Sequence, residues 1–410
     1  MINLETPSHE QKGHFEMVAN PATSPLLSDD MLARFAGRAP TYDKENRFAL
    51  EDFDELVGTG FLKMNVPTEL GGMGYNLSQT GAELRRLAMA APATAVAINM
   101  HLYWIGVAAD LWRAGDKSCE WMLTDAAAGE VFAAGHAESG NDIPGLLSTA
   151  KAEKVDGGWK ITGRKMFGSL SPVWTRYGFH AMDTSDPDAP KIIHGFLPRD
   201  AVGYHIDATW DVLGMRASMS NDTILDGAIC PDRFVGRIVP AGPAGLDMFV
   251  LALFANALVG LGNVYFGAAL RAREVALQSA HKKTSLAMTR SMAYHPHIQH
   301  SAAEMDLMIE YVGALLEKTA DDWSNGVDHG GLWPAKIVGC KYTAVESAKK
   351  IVDIAMDMSG GSGFFRANEL ERIYRDVRGG GFHPANSALT HEIVGKTALG
   401  IGLDENPRWG

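Results

Sequence analysis

The chain has 410 residues, 46% of them hydrophobic and 21% charged, with 37 Lys and Arg against 49 Asp and Glu. Such a chain buries a large core, which excludes disorder, collagen and coiled-coil arrays as the main architecture. The net charge of −12 argues against a nucleic-acid partner, which would want a basic face.

At roughly 150 residues per domain, the length allows about two or three domains. Met1-Ile-Asn-Leu-Glu-Thr-Pro has neither a basic n-region nor an apolar h-region, so no secretory leader is read there. From about Leu26 to Glu130 apolar residues recur at helical spacing, as in Leu32-Phe35 and Phe53-Leu56-Val57. Val66-Pro-Thr-Glu-Leu-Gly-Gly-Met-Gly interrupts, because Pro and clustered Gly break helices. A long Ala-rich helical stretch, Thr80 to Val107, follows.

From about Val131 the texture turns to short strands. Gly157-Gly158 reads as a hairpin turn between Ser148–Val155 and Trp159–Thr162, and a polar loop separates Tyr177–Ala181 from Lys191–Leu197. From Gly245 the helical period returns, with segments near 246–282, 297–324, 333–358 and 386–400. The expected fold is mainly α with a β insert. An N-terminal helical domain spans 1–130, a central antiparallel β-barrel or sandwich spans 131–241, and a four-helix bundle spans 242–410.

The most apolar run, Met248–Ala255, is far shorter than the ~20 residues a membrane span needs, so no membrane partner is expected. Cys119, Cys230 and Cys340 stand far apart with no C-x-x-C, which excludes a zinc ribbon and fits a reducing, cytoplasmic setting. His295-Pro-His297-Ile-Gln-His300 lacks a carboxylate or cysteine to complete a metal set, and reads as an exposed helix start after Pro296. No metal is expected. Gly260-Leu-Gly262 with Gly267 has the wrong spacing for a dinucleotide fingerprint and suits close helix packing. No G-x-S-x-G and no P-loop occurs. His101, in an apolar helical stretch, reads first as a satisfied core residue. Ser359-Gly-Gly-Ser-Gly-Phe-Phe reads equally as a helix end or as backbone that a ligand approaches.

Six segments together resemble the acyl-CoA dehydrogenase superfamily. Val66-Pro-Thr-Glu-Leu-Gly-Gly-Met-Gly is similar to its N-terminal Pro-x-x-x-Gly-Gly segment, and Ala137-Glu-Ser-Gly-Asn-Asp142 to its T-E-P-x-x-G-S-D segment, shortened by two. Gly163-Arg-Lys-Met-Phe-Gly-Ser169 resembles G-x-K-x-W-I-T, and Leu213-Gly-Met-Arg-Ala-Ser218 resembles L-G-x-R-x-S. Ser359-Gly-Gly-Ser-Gly-Phe364 resembles F-G-G-x-G-F, and Glu371-Arg-Ile-Tyr-Arg-Asp376 resembles E-R-x-x-R-D.

The resemblance implies a flavin between the β domain and the bundle, in a homotetramer or homodimer. Carried over, Ser169 meets flavin N5 and Phe167 packs on the ring, while Gly140 and Asn141 meet the pyrimidine edge or nearby phosphates. Gly361 lies beside a neighbouring subunit's flavin, and His136 and Asn386 join the cofactor-binding set. The family's pyrophosphate arginine maps near Lys282, which can neutralise phosphate but lacks the bidentate fork, leaving FAD against FMN open.

An acyl-CoA dehydrogenase needs a carboxylate base for the α-proton. The family's usual place for it holds Pro384, and the first bundle helix, which supplies it in a minority, has no glutamate between Gly242 and Arg273. Gly379-Gly-Gly-Phe-His383-Pro resembles instead the flavin-dependent monooxygenase branch, in which a histidine takes this place and a second comes from the N-terminal helices. His101 is the candidate second histidine. That branch implies reduced FAD or FMN from a separate reductase, O2, and hydroxylation or N- or S-oxidation of a small organic substrate through a C4a-hydroperoxyflavin. Ser169 would hold the N5 proton, and imidazoles with pKa near ~6.5 would act on peroxide or substrate. Two other readings compete. One is a dehydrogenase or nitroalkane-oxidase-like enzyme with an unusual base, acting on CH–CH or C–N bonds and served by an electron-transfer flavoprotein. The other is a flavin-binding protein with little catalysis, which the acidic balance disfavours.

Overall fold

The computed structural model describes residues 26–405; the stretch read as carrying no leader lies outside them. The first helices are α1 (Asp29–Glu45), α2 (Leu50–Gly58), α3 (Leu77–Ala90), α4 (Pro92–Arg113) and α5 (Glu120–Ala128). Their starts follow local chemistry. Ser28 accepts from the Met31 N–H to cap α1, and Asn76 with Gln79 forms a reciprocal capping box on α3. The Ala-rich stretch expected as one helix is two. Pro92 cannot continue a helix from Ala91, which turns extended, but it suits the first turn of α4.

Eight strands follow: β1 (Phe132–Gly135), β2 (Lys151–Val155), β3 (Gly158–Gly168), β4 (Arg176–Asp183), β5 (Lys191–Pro198), β6 (Tyr204–Asp207), β7 (Asn221–Pro231) and β8 (Val235–Pro240). The hairpin at Gly157 forms as read, with φ 70° at that residue and Val155 opposite Gly158. The strands make one sheet in the order β6-β7-β3-β2-β4-β5-β8, with β1 joined to β4. The sheet is mixed, because β1 runs parallel to β4 and β2 touches β4 in parallel. The other pairings are antiparallel, as the turns suggested.

The C-terminal helices are α6 (Met248–Lys282), α7 (Pro296–Ser324), α8 (Trp333–Ser359), α9 (Glu369–Arg378) and α10 (Ser387–Leu399). At 35 residues, α6 is long and apolar enough to cross a membrane, which the short apolar run in the sequence did not suggest. It is a core helix instead: 83% of its most apolar window is buried against neighbours that include α3, α4 and α8. Gly260 and Gly267 lie where a Cβ would strike Asn99 and the Arg85 carbonyl, so these glycines serve helix packing. His295 caps α7 just before Pro296, and no metal cluster occurs among the described residues.

Three distant segments lock together beside the sheet. Arg375 on α9 pairs with Asp43 of α1 at 2.6 Å and donates to the Leu213 carbonyl at 3.0 Å. Asp376 accepts from the Met215 N–H at 2.6 Å. Gly214 lies so close to the Arg375 carbonyl that any side chain would collide with it. The L-G-x-R and E-R-x-x-R-D segments are therefore two halves of one joint.

Candidate active site

A cavity of about 380 Å³ opens where β3, α4, α6 and the loop after α9 meet, within the size range of small-molecule sites. Val96 and Met100 of α4, Leu253 and Leu261 of α6 and Met166 of β3 give it apolar walls. No aspartate or glutamate lines it among the described residues.

At the end of β3 the backbone is strained. Phe167 has φ 56° and is 44% exposed, with its ring edge-on to Trp210 at 5.9 Å. A bulky residue in the left-handed region costs about 1–2 kcal/mol, a strain that marks functional sites more often than chance. Ser169 is buried beside it. Its Oγ lies 2.7 Å from Ser220 Oγ, which lies 2.7 Å from Ser218 Oγ, a row of three hydroxyls at the cavity edge.

His136 reaches the cavity just beyond β1. Its Nδ1 lies 3.1 Å from Tyr103 Oη, and its buried Nε2 has no hydrogen-bond partner among the described residues. Behind it the ring stacks on His180 at 5.2 Å, over the fully buried pair of Glu138 and Lys165 at 2.6 Å. Burial alone would raise the Glu138 carboxyl, but the His180 imidazole and the Lys165 ammonium outweigh it and hold it well below the usual carboxylate range. Glu138 also accepts from Ser148 Oγ and from the Thr149 and Ala150 N–H groups.

On the opposite wall His383 Nε2 lies 2.8 Å from Tyr265 Oη, and both residues line the cavity. Burial, with the nearby Lys341 ammonium, pushes the imidazole down to about 3. It is therefore neutral near pH 7, not poised near 6.5 as its residue type alone suggests.

Profiles of the acyl-CoA dehydrogenase N-terminal and C-terminal domains match residues 30–129 and 249–398. The chain belongs to the acyl-CoA dehydrogenase family. It is a flavin-dependent oxidoreductase. L-evernosamine nitrososynthase of a Micromonospora species is 28% identical over 92% of this chain and 90% of its own length. The amino sugar nitrososynthase DnmZ of Streptomyces peucetius is 29% identical over 87% of this chain and 88% of its own. Among solved structures, KijD3 in complex with FMN and a dTDP-linked amino sugar superposes with a TM-score of 0.80 at 25% identity, covering 92% of this chain and 93% of that one.

Pro384 and His383 stand side by side in the cavity wall. The other candidate histidine is elsewhere. His101 is fully buried and lies outside the cavity lining. Its Nε2–H donates to the Leu62 carbonyl at 2.8 Å, and its Nδ1 accepts from the Phe132 N–H at 3.1 Å. Both nitrogens are thus spent on tying α4 to a turn and to β1. Two histidines do line the cavity, but they are His383 from the loop after α9 and His136, just beyond β1, rather than His101. His101→Ala is expected to orphan a buried N–H and a buried C=O and to cost about 2–5 kcal/mol of stability. Denaturant melts check this, and the product formed per O2 consumed should not change.

The remaining family positions lie outside the cavity of one chain. Gly140 is exposed at φ 77°, and the Asn141 side chain closes its own loop on Glu138, Ile143 and Leu147. Lys282 is exposed at the end of α6, whereas Lys283 next to it donates to Ser359 O and to Ser362 Oγ. Gly361 is exposed in that same turn, and Asn386 is occupied in capping α10 through the Leu389 N–H at 3.0 Å. Tyr265, Trp210 and Tyr103 line the cavity and were not singled out by sequence. Tyr103 and Tyr265 sit within apolar helices and Trp210 in an irregular stretch after β6, and in neither setting does an aromatic residue carry a local sign that it faces a pocket.

Proposed function

We propose that this chain is the oxygenase component of a two-component flavin monooxygenase, hydroxylating or N- or S-oxidising a small organic substrate. The cavity that lacks a carboxylate and offers His383, Tyr265 and Ser169 in its place carries this reading. The residues fit a flavin: an orphaned Nε2 on His136, a strained, exposed Phe167 and a fixed serine hydroxyl stand along one edge. Bound reduced flavin, FAD or FMN, supplies the two electrons that activate O2. Substrate, O2, two electrons and two protons then give oxygenated substrate and water.

His136 would meet the pyrimidine edge and Phe167 would cover the ring. Ser169, braced by Ser220, would hold the proton at N5. His383 and Tyr265, both neutral, would hydrogen-bond into the oxygen side without supplying charge. The carboxylate-free lining, largely apolar but with Arg375 and Arg378 in it, also disfavours an ammonium form of any amine that enters, and so presents its lone pair for N-oxidation. The N-oxidising names of the nitrososynthase relatives support that direction. Among the described residues no acid lines the cavity to take an α-proton, so the dehydrogenase reading lacks its base.

A separate flavin reductase would supply the reduced flavin. Assembly as a homodimer or homotetramer is supported by Phe364 and Phe365, which are 85% and 69% exposed in the single chain. Three free, buried cysteines support a cytoplasmic setting. Isotopically labelled O2, supplied with reduced flavin and a panel of amines, phenols and thioethers, should leave its label in the product. Label appearing only in peroxide with every class would sink the proposal. Anaerobically, butyryl-, octanoyl- and isovaleryl-CoA are expected to leave bound flavin unbleached. Rapid bleaching by any of them would favour the dehydrogenase instead.

A further inference from the structure

Lys341 lies within α8 and is 1% exposed. Its Nζ makes no ion pair among the described residues, and Glu346, the acid whose charge acts on it, is bound to Lys349 at 2.5 Å. Instead Nζ donates to the carbonyls of Gly380 at 2.9 Å, Ala385 at 3.2 Å and His383 at 3.4 Å. All three belong to the loop between α9 and α10, which walls the cavity with Phe382, His383 and Pro384. An ammonium without a counter-ion is costly to bury, and core packing alone would be served by a methionine of similar length.

The loop also needs an external hold. Ala385 sits at φ 54°, a left-handed conformation that a residue with a Cβ keeps only when its surroundings over-determine it. Gly380 is pressed so close to Val345 that a Cβ would lie 2.7 Å from its side chain. Charge-assisted hydrogen bonds are about twice as strong as neutral ones, and here three converge on one short segment.

We propose that Lys341 is a positioning residue: its ammonium gathers the carbonyls on both sides of His383 and so sets the imidazole against Tyr265 inside the cavity. The geometry stands by itself, while its consequence for catalysis rests on the role given to His383 above.

Lys341→Met keeps the stem and removes the donors; Lys341→Gln keeps an amide donor. In the full chain without flavin, hydrogen exchange of amides 379–386 is expected to quicken about tenfold or more in Lys341→Met and by less in Lys341→Gln. Amides of α4 and α6 should exchange as before. Unchanged exchange across 379–386 would overturn the proposal, whatever His383 does. Loosening of α4 and α6 to the same degree would overturn it too, since Lys341 would then be an ordinary core residue. Should Lys341→Met fail to fold, the same comparison on Lys341→Gln decides. With reduced flavin and substrate, Lys341→Met should move electrons from product to hydrogen peroxide at unchanged flavin affinity. A loosened loop with full coupling would uphold the positioning role and remove His383 from the chemistry.

Discussion

His383→Ala is expected to lower substrate oxygenation by about 10²–10⁴ while the protein still folds and binds flavin. The reason is local. The imidazole is half-buried at the cavity wall, and its one side-chain partner is Tyr265 Oη at 2.8 Å. Losing it leaves the buried Tyr265 hydroxyl without this partner, at about 1–3 kcal/mol, so the thermal midpoint should fall by only a few degrees. Reduced flavin should still consume O2, and the electrons should leave as hydrogen peroxide. Because burial and the Lys341 charge push this histidine down to about 3, it stays neutral throughout the neutral range. The pH profile of coupling should therefore show no histidine limb near ~6.5. Peroxide yield measured beside the thermal midpoint separates chemistry from folding. Full coupling in His383→Ala would take the residue out of the active site.

Glu138→Gln should act on stability, and strongly. Glu138 and Lys165 are both fully buried at 2.6 Å, and removing one partner leaves the other as an uncompensated charge. Such losses run at about 3–5 kcal/mol, or on the order of 3–6 °C in melting temperature for a chain of this length. Replacing both by apolar residues, which often rescues a buried pair, should fail here. The carboxylate also accepts from Ser148 Oγ and from the Thr149 and Ala150 N–H groups, and the Thr149 N–H would be orphaned. The folded carboxyl lies below its unfolded value of ~4.3, so its contribution is full above that pH and is lost as pH falls below it. Glu138→Gln should flatten that acid limb as well as lower the plateau. A variant melting like the parent at pH 7 would show that the pair contributes nothing.

Local pattern carried much of this fold. The change from helical to alternating texture near Val131 and back near Gly245 reflects periods of 3.6 and 2, which any short window reveals. Within the Ala-rich stretch Pro92 was a legible break, outweighed by a continuous apolar run. At the cavity, Phe167 and Ser169 were reachable because they stand in one contiguous segment. Tyr265 was not, because its meaning comes from His383, 118 residues away. His101 shows the same limit in reverse. Its local sequence is identical whether it faces a pocket or binds backbone, and its partners lie 39 and 31 residues away. Lys341 carries no local sign of its contacts, because the Gly380 carbonyl it meets lies 39 residues away.

The joint between α1 and α9 sets an order of events in the cell. Asp43 and Arg375 are 332 residues apart, and Arg375 and His383 both fall in the last tenth of the chain. Chains emerge from the ribosome at about 5–20 residues per second and fold from the N-terminus as they appear. The sheet and the long central helix can form while synthesis continues, but the cavity has no closing wall until the final helices arrive. The cavity is therefore complete only once the chain's last tenth has been made, and a chain stalled before α9 lacks the wall that carries His383.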